Sequence, residues 1–503
     1  MKRFVAVIIL SIVGLNAYAA QCNDAIDNDS DGLVDFGFDL SCTSATDDTE
    51  AGTTGTLENG WYNWEPSGDS RIVYVSNGGS DSSDGLSPEN AKLTPGAGMS
   101  LMRDGFPDWL LFDRTSEWQE GFPQICTSGR SITEPRVYGS YGATGDRATF
   151  TRGGYGTGGG GCGPEYVHHN TFVSLHFGNM NRDPLGPDWD SDTASSDNLA
   201  GWLRGGDNLF FEDIVHQWGE ASYDDSLDGF TLNHIRFHRI HVWDNWDTPG
   251  FATGIFICNT GGATVTESFF DHIGHNPTIS SPPNVFDHNL YSDVCAGAPL
   301  NVFDTIFFRG PAGEQFRNGG SIERNLWDGQ AIGFGMQPDN ASTIIDNVIM
   351  NGESFDHKPG GSGDYAWAYD LQTGTETPVI SGNVVANCAS VSCSNATAVM
   401  AAAAPNTVAY DWAGPLTQEI SVPDDTRTLV TYNSTQCGGA ATEADFSAKR
   451  RAQSRMNWDS CYENKTIVDW VRAGYIAAGA PASAVRVGFG AGAKIRFATP
   501  IEF

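Results

Sequence analysis

Seven short segments in the middle of this chain end on Gly or Asn, and their spacing limits what the chain can fold into. They run Phe211–Gly219, Phe237–Asn245, Glu267–Gly274, Val302–Gly310, Ser321–Gly329, Ile344–Gly352 and Ile380–Asn387. Aligned on their last residues, they follow one another at roughly 19 to 36 residues, the irregular period of a solenoid. Each alternates apolar and polar residues and is rich in β-branched and aromatic side chains, as at Ile344, Ile345, Val348 and Ile349. Gly and Asn tolerate the left-handed backbone that a tight coil corner needs. Asn also recurs inside three of the segments, at Asn325, Asn347 and Asn383, each in an I-x-x-N-apolar pattern (IERNL, IIDNV, ISGNV). Stacked at one corner, such amides form a ladder in which each coil hydrogen-bonds the next.

Export is expected. Met1–Ala20 has the form of a secretory signal: Lys2 and Arg3, the apolar run Phe4–Leu15, and a small-x-small site at Ala17-Tyr18-Ala19. The apolar run is too short to span a bilayer and none of spanning length follows, so no membrane insertion is expected. The mature chain would be secreted, either extracellular or in a bacterial periplasm or cell surface, and monomeric. All ten cysteines lie beyond the signal, and an even count in an exported chain favours disulfides. Pairing neighbours is the simplest arrangement: Cys22–Cys42, Cys126–Cys162, Cys258–Cys295, Cys388–Cys393 and Cys437–Cys461. The net charge of −34 repels nucleic acid and anionic membranes. An acidic polysaccharide would be repelled too, unless local cations reverse the field.

Between Cys22 and Cys42 lies CNDAIDNDSDGLVDFGFDLSC. Its alternate carboxylates Asp27, Asp29, Asp31 and Asp35 converge on one hard cation, and Gly32 permits the sharp turn; calcium is the expected cofactor. Phe38 stands where an EF-hand carries its closing Glu, so the loop is not an EF-hand. It resembles the short calcium loops of thrombospondin type 3 repeats. The expected organisation is a signal at 1–20, an Asp-rich calcium-loop module at 21–43, a linker at 44–60 and one large domain at 61–503.

The large domain opens with a strand at Ile72–Ser76, then YVSNGGSDSSDGLSPENA and DGFPDWLLF, with a short helix and a strand expected within Ala97–Phe112. SGRSITEPRVYGSYG follows at Ser128–Gly142, and AQSRMNWDSCYENKTIVDWVRAG closes the pattern at Ala452–Gly474. These stretches, with the repeats between them, resemble secreted right-handed parallel β-helix proteins of the pectate-lyase-like superfamily over most of the chain. The resemblance implies an all-β fold, a right-handed parallel β-helix solenoid with the small N-terminal Cys-bracketed module and a short C-terminal helical segment. Gly153–Gly163 (GGYGTGGGGCG) reads as a loop; it has no Lys-Ser/Thr after it and is no phosphate cradle.

Seven of the eleven histidines lie between His216 and His288, where neighbouring coils can bring them to one face. Six of the seven, all but His216, fall in NHIRFHRIHVWDNWD, FFDHIGHNP and VFDHNLY. Adjacent residues of a strand face opposite sides, so Asp271 and His272, or Asp287 and His288, face outward together only where a strand has ended. His272 and His288 are the outward candidates, and Tyr291 joins His288 if the chain turns at Asn289. The two H-x-x-H pairs (His238/His241 and His272/His275) put their histidines on opposite faces of a strand, which disfavours a metal site. Arg317 precedes a core strand in EQFRNGGSIERN, and the resemblance includes comparable Arg-x-Gly-Gly turns.

Eliminating a uronate needs a cation to neutralise the sugar carboxylate, a base for the C5 proton and an acid for the departing oxygen. His288 or His272 as base, Tyr291 as acid and Arg317 as a two-toothed carboxylate clamp meet that need. A polysaccharide lyase or epimerase acting on an acidic polysaccharide is therefore the preferred reading. A glycoside hydrolase needs paired carboxylates, for which Asp224, Asp225, Asp244, Asp247 and Asp271 are available. A non-enzymatic carbohydrate-binding protein needs only an aromatic strip, for which Trp202, Trp218, Trp243, Trp246, Trp327, Trp367 and Tyr369 are candidates. The R-x-P-x-x-R element of classical pectate lyases and the assembled polygalacturonase motifs are missing from the sequence.

Overall fold

The computed structural model describes residues 57–477 apart from internal stretches, the longest being 158–166, 190–198, 275–286, 353–366, 389–407 and 412–427. The expected signal, the calcium-loop module and most of the linker lie outside the described residues. The chain divides into two units, Met1–Glu65 and Pro66–Phe503. In the first, Leu57–Glu58 pairs antiparallel with Trp61–Tyr62. Asn59 and Gly60 between them both have positive φ, 54° and 77°, as an Asn-Gly hairpin turn requires.

The second unit is a solenoid of three long sheets. Sheet I has 11 strands, from Ile72–Val75 to Val379–Ser381; sheet II has 10, from Glu117–Trp118 to Val384–Cys388; sheet III has 9, from Tyr155–Thr157 to Val408–Asp411. A coil visits the three in turn, as in Gly206–Glu212, Val215–Gln217 and Glu220–Asp224. The next coil then lies parallel on it, Phe211 opposite Phe237 and Val215 opposite His241. Only the last pair of sheet III, Trp367–Leu371 with Val408–Asp411, is antiparallel among the described solenoid strands. The fold is an all-β parallel β-helix. Tyr155–Thr157, inside the glycine-rich stretch expected to be a loop, is a strand paired with Gly201–Leu203.

The seven repeated segments are not single strands. Six of them pass through a left-handed residue at Asp213, Arg239, Glu267, Asp304, Arg324 or Asp346, with φ between 47° and 56°, and through a second near the end at Trp218, Asp244, His272, Arg309, Gly329 or Asn351; the first of the two is the repeated bend. This bend joins sheet I to sheet II. A left-handed non-glycine residue costs about 1–2 kcal/mol, and the repeated hydrogen bonds just beyond it offset that. Ser268, Thr305, Asn325, Asn347 and Asn383 stack at this corner. Each accepts the backbone N–H of the coil before it: Ile240 to Ser268 at 3.3 Å, Ser268 to Thr305 at 3.3 Å, Thr305 to Asn325 at 2.8 Å, Asn325 to Asn347 at 2.9 Å and Asn347 to Asn383 at 2.9 Å. The three Asn amides also donate back to Val302, Ile322 and Ile344 carbonyls at 2.7–2.8 Å. The expected Asn ladder is present and extends to a Thr and a Ser.

Inside, aromatic rings stack from coil to coil. Phe172, Phe211 and Phe237 have centroids 4.7 and 5.2 Å apart, and Phe270, Phe307 and Trp327 follow at 5.0 and 5.2 Å. The outer face of sheet II is apolar as well. Phe269, Ile306, Phe308, Leu326, Val348 and Met350 pack against Leu429, Tyr432, Phe446, Val468 and Val471. Those come from three helices, Thr428–Gln436, Glu443–Arg451 and Asn464–Ala477, with Cys437 and Cys461 joined by a disulfide. The C-terminal helical segment is therefore longer than expected, starting before Ala452. Cys126 and Cys258 are also disulfide-bonded. No helix among the described residues is long and apolar enough to cross a membrane.

Asn347 serves three ladder partners, so Asn347→Leu strands the buried Asn325 N–H and Ile322 carbonyl of the preceding coil and takes one donor from Asn383 on the next. Unfolding in urea should show a loss of about 2–4 kcal/mol. A midpoint equal to that of the parent protein would mean that the ladder contributes nothing to stability.

Candidate functional site

The stacked coils sort the histidines by role. His216 points into the core beside Phe177, centroids 6.0 Å apart, and burial, with His176 nearby, pushes its pKa down to about 3. His176, half-buried, and His241, buried, lie on the outer face of sheet II. Burial and the Arg147 charge take His176 to about 4 and His241 well below its ordinary value. His238, on sheet I, bonds Thr266 Oγ1 at 2.8 Å. The H-x-x-H pair His238/His241 is thus split across the corner at Arg239, one histidine on each sheet. His275 lies outside the described residues. Among the described residues no group of three or more His, Cys, Asp or Glu is placed to hold a metal ion.

His288 has a different setting. It opens the sheet III strand His288–Ser292. Asp287 just before it is buried and accepts the Ala252 N–H at 2.8 Å. Asn289 and Leu290 both turn inward, fully buried, and Asn289 meets Gln330 at 3.3 Å. Two inward residues in succession leave His288 and Tyr291 on the outer face together, although Asn289 lies within the strand His288–Ser292 and not at a turn. Their rings stack, centroids 5.0 Å apart and planes 11° from parallel.

The coils on either side complete the cluster. Phe256, in register with Tyr291 on the preceding coil, stacks on the Tyr291 ring at 5.4 Å. Gln315 is in register on the following coil. Arg317, two residues on, brings its guanidinium 5.4 Å from the Tyr291 ring centre and 3.6 Å from Asp293. Its backbone N–H is held by the Ser292 carbonyl at 3.1 Å. Gly335 lies beside Gln315, and a Cβ there would come within 2.8 Å of the amide. Among the described residues, the buried Arg317 Nε and Gln315 Nε2 have no hydrogen-bond partner. Burial pushes the Tyr291 phenol up; Arg317 opposes that, Asp293 adds to it, and the net is above the ordinary value. Tyr291 therefore keeps its proton through neutral pH and beyond. The cluster offers a stacked imidazole and phenol, a cation with an unused buried donor, and an aromatic flank.

His272 belongs to another network. Its strand, Phe269–Asp271, ends just before it, and His272 sits at φ 58° in the corner. Both members of Asp271-His272 can therefore leave the core. His272 Nδ1 bonds Asp244 at 3.0 Å, and Asp244 also takes Arg451 at 2.6 Å. Burial would raise the Asp244 pKa, but the His272 hydrogen bond and the Arg451 charge outweigh it and bring it to about 2. Asp271 binds Arg309 and Arg451, each at 2.6 Å. These ions fix helix Glu443–Arg451 against sheet II. The structure thus joins His288, Tyr291 and Arg317, and ties His272 to the helix-docking network instead.

Sequence reasoning missed Asp293, Gln315 and Phe256. The period of two was enough for the first two, since Asp293 follows Tyr291 and Gln315 precedes Arg317 by two residues. Phe256 needed the coil register. Of the candidate aromatics, Trp327 fills the core, Trp243 lies beneath Arg451 at 5.3 Å and Trp246 beneath Arg182 at 4.5 Å.

No protein-family model and no curated protein sequence matches the chain. Among solved structures, ORF18 of Geobacillus virus E2 aligns at 9% identity with a TM-score of 0.26, covering 62% of this chain and 61% of that one. A rhamnogalacturonan lyase aligns at 8% identity with a TM-score of 0.25, covering 62% of this chain and 87% of that one. The chain spans less than two thirds of the first of these.

The lowered pKa values of these histidines tie stability to pH. Unfolded, each binds a proton near pH 6.5; folded, His176 does so only near 4 and His216 near 3. The unfolded state binds more protons in that window, so stability is present above about pH 6.5 and is lost as pH falls toward 4. Urea midpoints measured from pH 7 to 5 should drop steeply, and His216→Phe should flatten the slope by about one proton, roughly 1.4 kcal/mol per pH unit. Equal slopes for variant and parent would show that His216 is not buried in the neutral form.

Proposed function

We propose that this protein is a secreted carbohydrate-active enzyme, a lyase or C5 epimerase acting on a uronate-containing polysaccharide. The observation that carries the reading is His288 stacked on Tyr291 with Arg317 beside them on the outer face of sheet III. Arg317 binds the sugar carboxylate and so makes the C5 proton more acidic. His288 takes that proton. Tyr291, protonated at neutral pH, gives its own to the departing glycosidic oxygen in a lyase. An epimerase shares the first step and returns a proton to the opposite face of C5. Asp293 holds the guanidinium until a substrate carboxylate replaces it, and Phe256 offers a face for a sugar to stack on. His272, already bonded to Asp244, is the weaker choice of base.

The test is incubation with a panel of polyuronates, following the ultraviolet absorbance of the unsaturated product and deuterium uptake at C5. Parent protein should produce one or the other, and His288→Ala or Tyr291→Phe should reduce the rate by about 10²–10⁴. Tight glycan binding with neither signal would leave a binding protein and end the catalytic reading.

We also propose that the N-terminal loop binds calcium through Asp27, Asp29, Asp31 and Asp35. Calorimetric titration of the full chain should show a calcium site that Asp29→Asn/Asp31→Asn removes. Identical titrations for the two proteins would refute it.

A further inference from the structure

The spacing of the two rings limits which uronates this site can cleave. A sugar ring placed between His288 and Tyr291 would need a van der Waals contact on each side, about 3.5–4.0 Å apiece. The separation is 5.0 Å, with the planes 11° from parallel. No sugar fits between them. The two side chains lie on the same face of sheet III, and Phe256 stacks against Tyr291 at 5.4 Å from the preceding coil. A bound sugar therefore meets imidazole and phenol from one side only.

Elimination needs the C5 proton and the C4–oxygen bond to face the base and the acid respectively. When both groups stand on one side of the ring, the departing proton and oxygen must lie on that same side. In D-glucuronate and D-mannuronate they do. In D-galacturonate and L-guluronate the C5 proton and the C4 oxygen lie on opposite faces. We infer that the site performs syn elimination and takes 4-linked chains of D-glucuronate or D-mannuronate, and that it does not cleave polygalacturonate. The inference rests on the lyase reading above and narrows it.

The step balances. The C5–H bond breaks and its proton goes to His288, while the electron pair forms the C4–C5 double bond. The C4–O bond breaks, and the leaving oxygen keeps its electron pair and takes the Tyr291 proton. The products are a chain with a new hydroxyl end and a chain with an unsaturated uronate end. His288 then carries one proton too many and Tyr291 one too few, and transfer between the stacked pair through water restores both. Arg317, 5.4 Å from the Tyr291 ring centre, stays on the carboxylate throughout. Its charge also steadies the phenolate formed during the step.

The experiment compares four homopolymers (4-linked polyglucuronate, polymannuronate, polygalacturonate and polyguluronate) with the full-length protein, reading the unsaturated product by ultraviolet absorbance. Polyglucuronate or polymannuronate should be cleaved at least about 100-fold faster than either of the others, the factor a correctly placed acid contributes. Cleavage of polygalacturonate or polyguluronate at a comparable or greater rate overturns the syn assignment and leaves the lyase reading standing. No product from any of the four overturns the lyase reading itself, and the stereochemical inference with it.

Discussion

Among the described residues, the coils from Gly206 to Met350 turn at the same place, and the corner between sheets I and II is where that constraint is met. A left-handed residue makes the bend, and the residues beyond it satisfy the buried backbone that the bend exposes. From Ser268 to Asn383, one side chain per coil accepts the N–H of the coil before it. A buried N–H without such a partner costs about 1–3 kcal/mol, so a coil slipped by one residue would lose its rung. It would also turn its apolar residues outward. The ladder and the aromatic stacks inside it thus enforce the same register, and neither tolerates the slip alone.

That register makes the candidate site. Tyr291 lies beside Phe256 and Gln315 because their strands pair residue for residue. Asp293 faces Arg317 because both lie two residues further along. None of these contacts is local in sequence. The sheets differ in what covers them: the outer face of sheet II is apolar and lies under the C-terminal helices, whereas the described outward residues around Tyr291 on sheet III are only half-buried. A solenoid coil has three faces, and here one is committed to holding the helices.

Much of the architecture was legible because it follows from local rules. Alternation, Gly and Asn corners and the I-x-x-N pattern identify the coil and its ladder. The corner inside each repeat was harder to read, because Asp213, Arg239 and Glu267 are not residues that announce a left-handed backbone. Reading through the corner at Arg239 as one strand assigns faces by alternation alone, and so His238 and His241 were treated as one pair. The two earlier helices of the cap were also hidden. Thr428–Gln436 reads TLVTYNSTQ, a sequence with poor helix propensity. It is helical because Leu429 and Tyr432 cover sheet II. His288 and Tyr291 were paired in the sequence only on the condition of a turn at Asn289; the structure has a strand there, with Asn289 and Leu290 both buried and Asn289 bonded to Gln330.

The two groups of charges on the solenoid differ in burial and in how completely they are paired. Asp271 is fully buried and bound by Arg309, Arg451 and Ser447. Removing a partner from such a carboxylate leaves an uncompensated buried charge, a loss of about 3–5 kcal/mol. These ions cannot be lent to a ligand without releasing the helix they hold. Arg317 and Asp293 are 39% and 30% exposed and sit 3.6 Å apart; an exposed pair of that kind contributes at most about 1 kcal/mol. Its Nε, buried and without a hydrogen-bond partner among the described residues, gains by meeting an oxygen. An arginine held loosely by one carboxylate and left with an unused donor is better suited to exchange that carboxylate for another. The same chain that fixes its helices with closed, buried ion networks keeps a more exposed pair beside Tyr291, and burial is the physical difference between the two.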